Sequence, residues 1–168
     1  MKRPQPDEYS AFQKAYIDKV SDDPLQEIET QSITFPQFLR AIPEDKIDYA
    51  YAEGKWTLKE MLGHIIDTER ILTYRLLRIA RNDSTGLPGF EEDDYVRYSH
   101  FKDQDFGLMI EEFRTLRKAN LFLYNSLNEE ELQRRGLANG NPTSVRALLF
   151  IIAGHMQHHK MVIEERYL

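Results

Sequence analysis

With 168 residues, 41% hydrophobic and 30% charged, the chain has the size of one ordinary globular domain and enough apolar material for a real core. It has no cysteine, which excludes disulfides, thiolate metal ligands and a cysteine nucleophile together. Its 22 Lys and Arg against 28 Asp and Glu leave a net charge of −6, the reverse of the balance usual for proteins that grip nucleic-acid phosphates.

The opening MKRPQPDEYS lacks the apolar segment of a signal peptide, and the longest apolar run, Ala147 to Ala153, covers only about two helical turns. Neither a membrane nor nucleic acid is an expected partner, and cytoplasmic residence is the expectation. Tyr9, Phe12, Tyr16 and Val20 predict a short amphipathic helix in an N-terminal extension, residues 1–23, packing on the rest of a single domain, residues 1–168. Four longer helical segments follow, with no convincing strand.

The first runs from about Pro24 to Ala41, with Leu25, Ile28, Ser32, Phe35 and Leu39 on one stripe and Pro36 predicting a kink or a break. The second runs from Thr57 to about Arg81, opened by a Thr57-x-x-Glu60 capping box. The third spans Asp105 to Leu127. The fourth spans Ser144 to about Tyr167, after a short acidic helix near Asn128 and the turn Gly-Leu-Ala-Asn-Gly-Asn-Pro. Some two dozen residues, Asn82 to Gln104, separate the second segment from the third, a length that suits a crossover or a site cover. Four helices with one long crossover predict an all-α four-helix bundle.

Three of the five histidines crowd into GHMQHH. A four-residue step leaves two helical side chains about 40° apart, so His155 and His159 share a face and the spacing that lets two imidazoles hold one ion. Leu148, Ile151, Ile152, Val162 and Ile163 define the inward stripe, and that pair falls within it, whereas His158 lies to one side. His64, near the start of the second segment, reaches the same level if the two helices are antiparallel. Inward imidazoles need partners, since an unsatisfied buried polar group costs about 1–3 kcal/mol. A shared metal supplies them and leaves a coordination position open. A lone inward histidine is more often structural, and His100, in the crossover, reads as surface. Glu60 and Asp67 flank His64 and either orient its ring or make ordinary surface pairs. Trp56 and Tyr51 either line a pocket mouth or staple the second segment, the staple being favoured; Phe90 and Tyr95 are candidate pocket walls.

YAEGKWTLKEMLGHIIDTERILTYRLLRIARND, LPGFEEDDYV and NPTSVRALLFIIAGHMQHHKMVIEERYL together resemble the DinB-like superfamily, its YfiT-related branch. The resemblance implies a bundle in up-down-down-up order and a metal held by His64, His155 and His159, one divalent ion per chain, zinc or nickel. It also implies a homodimer, for which an exposed Phe150 on the back of the fourth segment is a candidate contact. Characterised relatives use low-molecular-weight thiols, so the expected activity is metal-dependent transfer of a small thiol to an electrophile. A metal-dependent hydrolase and a non-catalytic binding module are the alternatives.

Overall fold

The computed structural model describes all 168 residues. Two 3-10 turns, Pro6–Glu8 and Ala11–Gln13, lead into α1 (Lys14–Ile17), followed by α2 (Pro24–Arg40), α3 (Glu44–Ile47), α4 (Leu58–Ala80) and α5 (Glu92–Tyr98). After a further 3-10 turn come α6 (Phe106–Asn125), α7 (Glu129–Gln133), β1 (Arg135–Ala138), β2 (Asn141–Ser144) and α8 (Val145–Arg166). No helix is long and apolar enough to cross a membrane.

Each long helix begins where a side chain satisfies its first free amides. Asp23 accepts from Gln26 N before Pro24 at α2, and Asp105 accepts from Leu108 N at α6. Thr57 and Glu60 exchange the two bonds of the capping box at α4, and Ser144 Oγ accepts from Ala147 N at α8. Pro36 does not break α2, which runs through it with Phe35, Pro36 and Leu39 all buried. Packing of that face outweighs the single backbone bond proline removes.

The helix order follows from cross-helix pairs. Gln31 and Arg40 of α2 meet Arg117 and Glu111 of α6, an antiparallel pairing. Glu69 and Thr73 of α4 meet Arg117 and Asn120 of α6, so these two run parallel, and the crossover exists to return the chain. His64 meets His155 and His159, and Trp56 just before α4 accepts from Tyr167 just after α8, so these two are antiparallel, while Gln31 and Phe38 of α2 meet Ala153 and Lys160 of α8, parallel. The result is the four-helix bundle in up-down-down-up order. Two apolar clusters fill it. A buried polar group also crosses the bundle: Arg117 donates to Glu69 Oε2 at 2.6 Å and Gln31 Oε1 at 2.8 Å, and Asn120 to Glu69 Oε1 at 3.0 Å.

Two expectations are corrected. A small antiparallel hairpin is present, β1 on β2, with Arg135 opposite Ser144 and Ala138 opposite Asn141. Its turn is Asn139-Gly140, both with positive φ (51° and 72°), the tight hairpin connection that pairing favours. Leu87 of the crossover bonds to both Leu137 O and Asn139 N, locking the two loops together. Phe150 is fully buried and faces the chain's own N-terminal segment, with the Arg3 guanidinium 5.3 Å from its ring, so it offers no surface for a second copy.

The N-terminal stretch folds as a 3-10 turn running into the short α1 and packs along α8, burying Ile17 and Val20. Glu8 pins it. Its fully buried carboxylate accepts from Ser144 Oγ at 2.7 Å and Arg146 Nε at 2.6 Å. Burial alone would raise the Glu8 pKa, but the Arg146 and Ser144 bonds overcome it and hold the carboxyl below its ordinary value. At the other end of the segment, Arg3 donates to Ile17 O and Val20 O at 2.8 and 2.9 Å.

Candidate metal centre

His64 sits in the second turn of α4, and His155 and His159 project from one face of α8. Their Nε2 atoms form a nearly equilateral triangle with sides of 3.0 Å (155 to 159), 3.1 Å (64 to 155) and 3.2 Å (64 to 159). All three residues are buried. His158, as expected from its wheel position, stands outside this triangle.

The triangle is poorly explained by hydrogen bonding among imidazoles. A neutral imidazole Nε2 either donates or accepts. Of three such atoms at least two must share a role, placing two lone pairs or two N–H groups face to face. Protonation is no remedy, because burial holds all three rings neutral. It lowers the His64 pKa from 6.5 to about 4 and drives His155 and His159 well below 6.5, repulsion from neighbouring imidazoles adding to burial for the latter two. Three lone pairs turned toward one cation remove the conflict. The dimensions fit as well: tetrahedral metal–imidazole bonds of about 2.0–2.1 Å place donor nitrogens about 3.3–3.4 Å apart. Thr68 Oγ1 lies 3.5 Å from His64 Nδ1, while His159 Nδ1 is buried without a protein partner.

A glycine precedes the histidine on each helix. A Cβ at Gly63 would stand 2.4 Å from the Phe101 ring, and one at Gly154 would stand 2.1 Å from Tyr16 O. The bare backbone lets the crossover close over α4 and the N-terminal segment close over α8, both beside the triad.

The histidines face a cavity of about 380 Å³ whose walls include Tyr16, Trp56, Arg75, Phe90, Glu92 and His158. Trp56 is a wall, its ring 4.7 Å from that of His64, and so does what the less favoured of its two expected roles required. Tyr51 packs on Tyr167 instead. Phe90 reaches the cavity, with the Tyr95 ring tilted against it at 5.0 Å outside the lining. Glu60 is consumed by the helix cap and an ion pair with Lys102, and Asp67 pairs with Arg70, so neither orients His64; Thr68 stands nearest the free nitrogen. His100 lies in a separate, exposed cleft.

Thr68, Arg75, Tyr16 and the hairpin residues Asn139 and Asn141 were not anticipated as lining residues. Two of them were within reach of the wheel argument. Thr68 is four residues beyond His64, and Arg75 is eleven, only about 20° around the helix.

A family model described as the DinB superfamily matches residues 27–163. A protein of Oceanobacillus iheyensis named "Putative metal-dependent hydrolase" is 24% identical over 140 residues, which cover 80% of this chain and 78% of that one. A Bacillus cereus protein so named is 22% identical over 150 residues, 88% and 86% of the two chains. Among solved structures, YfiT from Bacillus subtilis, described as "a probable metal-dependent hydrolase with an unusual four-helix bundle topology", superposes with a TM-score of 0.74 at 16% identity, covering 98% of this chain and 90% of that one. The mycothiol-dependent maleylpyruvate isomerase superposes with a TM-score of 0.65 at 10% identity, covering 86% of this chain and 61% of that one. These two likenesses show a shared fold. With the family match running through nearly all of the bundle and all three converging histidines, the chain belongs to the DinB superfamily.

Proposed function

We propose that the chain is a divalent-metal-dependent enzyme in which His64, His155 and His159 hold one ion, zinc or nickel, through Nε2, and that it transfers a low-molecular-weight thiol to an electrophile. The observation that carries this reading is the convergence of three buried Nε2 atoms, within 3.2 Å of one another, on the wall of a small-molecule-sized cavity. A divalent ion held there would supply Lewis acidity, stabilising the thiolate of a bound thiol or the hydroxide of a bound water.

The chain's own residues do the rest. Burial keeps the three imidazoles neutral, so their lone pairs are free at neutral pH without a proton having to leave. Trp56, Tyr16 and Phe90 give part of the cavity wall an aromatic surface against which a small organic substrate can pack. With no cysteine in the chain, the thiol has to come from a cosubstrate. The name of the mycothiol-dependent fold neighbour supports thiol chemistry, and the names of the Oceanobacillus and Bacillus relatives support hydrolysis as the second reading. The same reading takes the chain as a homodimer, which sedimentation at micromolar concentration tests separately.

The test loads protein purified without an affinity tag with zinc or nickel and offers bacillithiol, cysteine and glutathione with monochlorobimane. A metal-dependent, thiol-dependent rate absent from His155→Ala is the expected result. Metal-dependent ester or amide cleavage with no thiol-dependent rate would move the assignment to hydrolase. Neither activity would make the chain a binding module.

A further inference from the structure

One face of α4 presents His64, Thr68, Leu72 and Arg75 to the cavity. Arg75 lies three turns beyond His64, its backbone about 16 Å further along the helix axis, and both residues line the space. Arg75 is buried, at 7% exposure. Its guanidinium makes one hydrogen bond, from Nη2 to Pro88 O at 2.6 Å, and lies 5.9 Å from the Phe90 ring. That bond uses one of five N–H donors and could be made by a neutral side chain.

No carboxylate answers its charge. The other deeply buried arginine, Arg117, shows what full compensation looks like, with Glu69, Gln31 and Ile152 O around it. Glu92, the one acid on the cavity wall, forms no ion pair with Arg75 and is exposed. A guanidinium does not deprotonate in proteins, and the only buried side-chain polar atom left without a partner is His159 Nδ1, so the unused donors of Arg75 open onto the cavity rather than into packed protein. Burial lowers the Arg75 pKa, with Tyr95 opposing it and no carboxylate contributing. Arg75 is also the only lysine or arginine among the lining residues.

We propose that Arg75 binds a carboxylate, and that the ligand of this cavity carries that carboxylate at the end remote from the three histidines. The inference rests on the cavity being the substrate pocket of the proposed enzyme, and it holds whichever nucleophile the ion activates. A single planar fork bearing one positive charge matches a carboxylate in shape and charge. A dianionic phosphate would call for further cations, and the lining supplies none. Asn139 and Asn141, at the hairpin turn, line the same cavity and can add amide donors to the oxygen atoms.

The experiment measures binding by calorimetry or NMR with matched six-carbon probes: hexanoate, 1-hexanol and hexylphosphonate. Hexanoate is expected to bind the parent more tightly than 1-hexanol, and Arg75→Gln to weaken hexanoate by about 10–100-fold, the loss of a charge-assisted bond, while 1-hexanol is unaffected. Arg75→Lys should retain part of the preference, and equal melting temperatures exclude misfolding as the cause. Because a carboxylate can also ligate a metal, hexanoate is titrated into His155→Ala too, where its binding should persist. Equal affinity for hexanoate and 1-hexanol in the parent, or loss of hexanoate in His155→Ala with retention in Arg75→Gln, overturns the proposal. Preference for hexylphosphonate over hexanoate overturns the carboxylate assignment. A parallel pair, 6-mercaptohexanoate and 6-mercaptohexanol, separates the two readings. If both thiols bind equally and only with metal, thiol chemistry stands and the Arg75 subsite falls; if hexanoate binds through Arg75 and neither thiol gains from the metal, the reverse holds.

Discussion

Replacing Gly154 with alanine should destabilise the protein, although alanine is the better helix former by about 0.8–1.0 kcal/mol. Gly154 lies mid-α8, beside His155, where the N-terminal segment crosses. An added Cβ would stand 2.1 Å from Tyr16 O, 2.5 Å from Tyr16 C and 3.0 Å from its Cα, whereas ordinary contact begins at 3.4 Å. The carbonyl would have to retreat by about 1.3 Å, the difference between 3.4 and 2.1 Å. It belongs to backbone, and that backbone is tied on both sides, by Glu8 to Ser144 and Arg146 and by Arg3 to Ile17 O and Val20 O. Overpacking a tight site costs typically about 1–3 kcal/mol, and a rigid backbone contact belongs at the upper end. Less the propensity gain, the net loss is about 1–2 kcal/mol. Full detachment would instead expose Ile17 and Val20, each contributing about 1.5–3 kcal/mol by burial, so a shifted segment is the cheaper response. Urea denaturation measures the stability, and limited proteolysis reports cleavage before residue 20. A variant about 1 kcal/mol more stable than the parent, with its N-terminal segment equally protected, would refute the reasoning.

Four further outcomes follow from the same structure. His64→Ala, His155→Ala and His159→Ala should each lose bound metal by elemental analysis, while His158→Ala keeps it; the opposite pattern for 158 and 159 would mean the ion is held elsewhere. Metal-free protein should lose stability as pH falls from 6.5 toward about 4, because the unfolded chain takes up a proton at His64 that the folded chain refuses. Stability from this group is complete above 6.5, and the urea midpoint of His64→Gln should slope less across that window. Glu69→Ala should cost about 3–5 kcal/mol in chemical denaturation, since it strands the buried Arg117 charge, whereas Glu69→Leu with Arg117→Met should cost far less. Thr57→Ala should cost about 1 kcal/mol by removing the α4 cap, with metal content retained if the cap serves only the helix.

The triad was legible in the sequence because its geometry is local twice over. Residues 155 and 159 are one helical turn apart, and the apolar stripe on either side fixes which way they face. Only His64 needed a tertiary assumption, antiparallel α4 and α8, and the crossover length made that the natural topology. The bundle was legible for the same reason. The hairpin is not, since its strands are four residues long and show no alternation; its one signal is Asn139-Gly140, a pair that also suits a plain turn between helices. Phe150 misled because a wheel knows the bundle's inward side but not that a terminal segment covers the other. Asp67 stands three residues from His64, about 60° around the helix, and Thr68 four, about 40°, so Thr68 lies nearer the His64 face and the structure leaves Asp67 to Arg70.

The division of labour around the cavity follows from which elements line it. None of its lining residues comes from α2 or α6. α4 and α8 supply the three histidines, and the remaining walls come mainly from segments outside the four helices: Tyr16 and its neighbours from the N-terminal stretch, Phe90 and Glu92 from the crossover, Asn139 and Asn141 from the hairpin. Here the apolar clusters fill the space between the four helices, and the cavity lies at their edge, roofed by added chain. Those additions are fastened by their own contacts, Glu8 to Arg146, Leu87 to the hairpin, and the two glycines that let the roof sit close. Arg75 is the one cationic Lys or Arg side chain on the wall, and it stands on a helix, facing the space beneath the roof. Because α4 sets its distance from His64, the span between reacting end and anionic end is a property of one rigid helix, while the shape of everything between is left to loops.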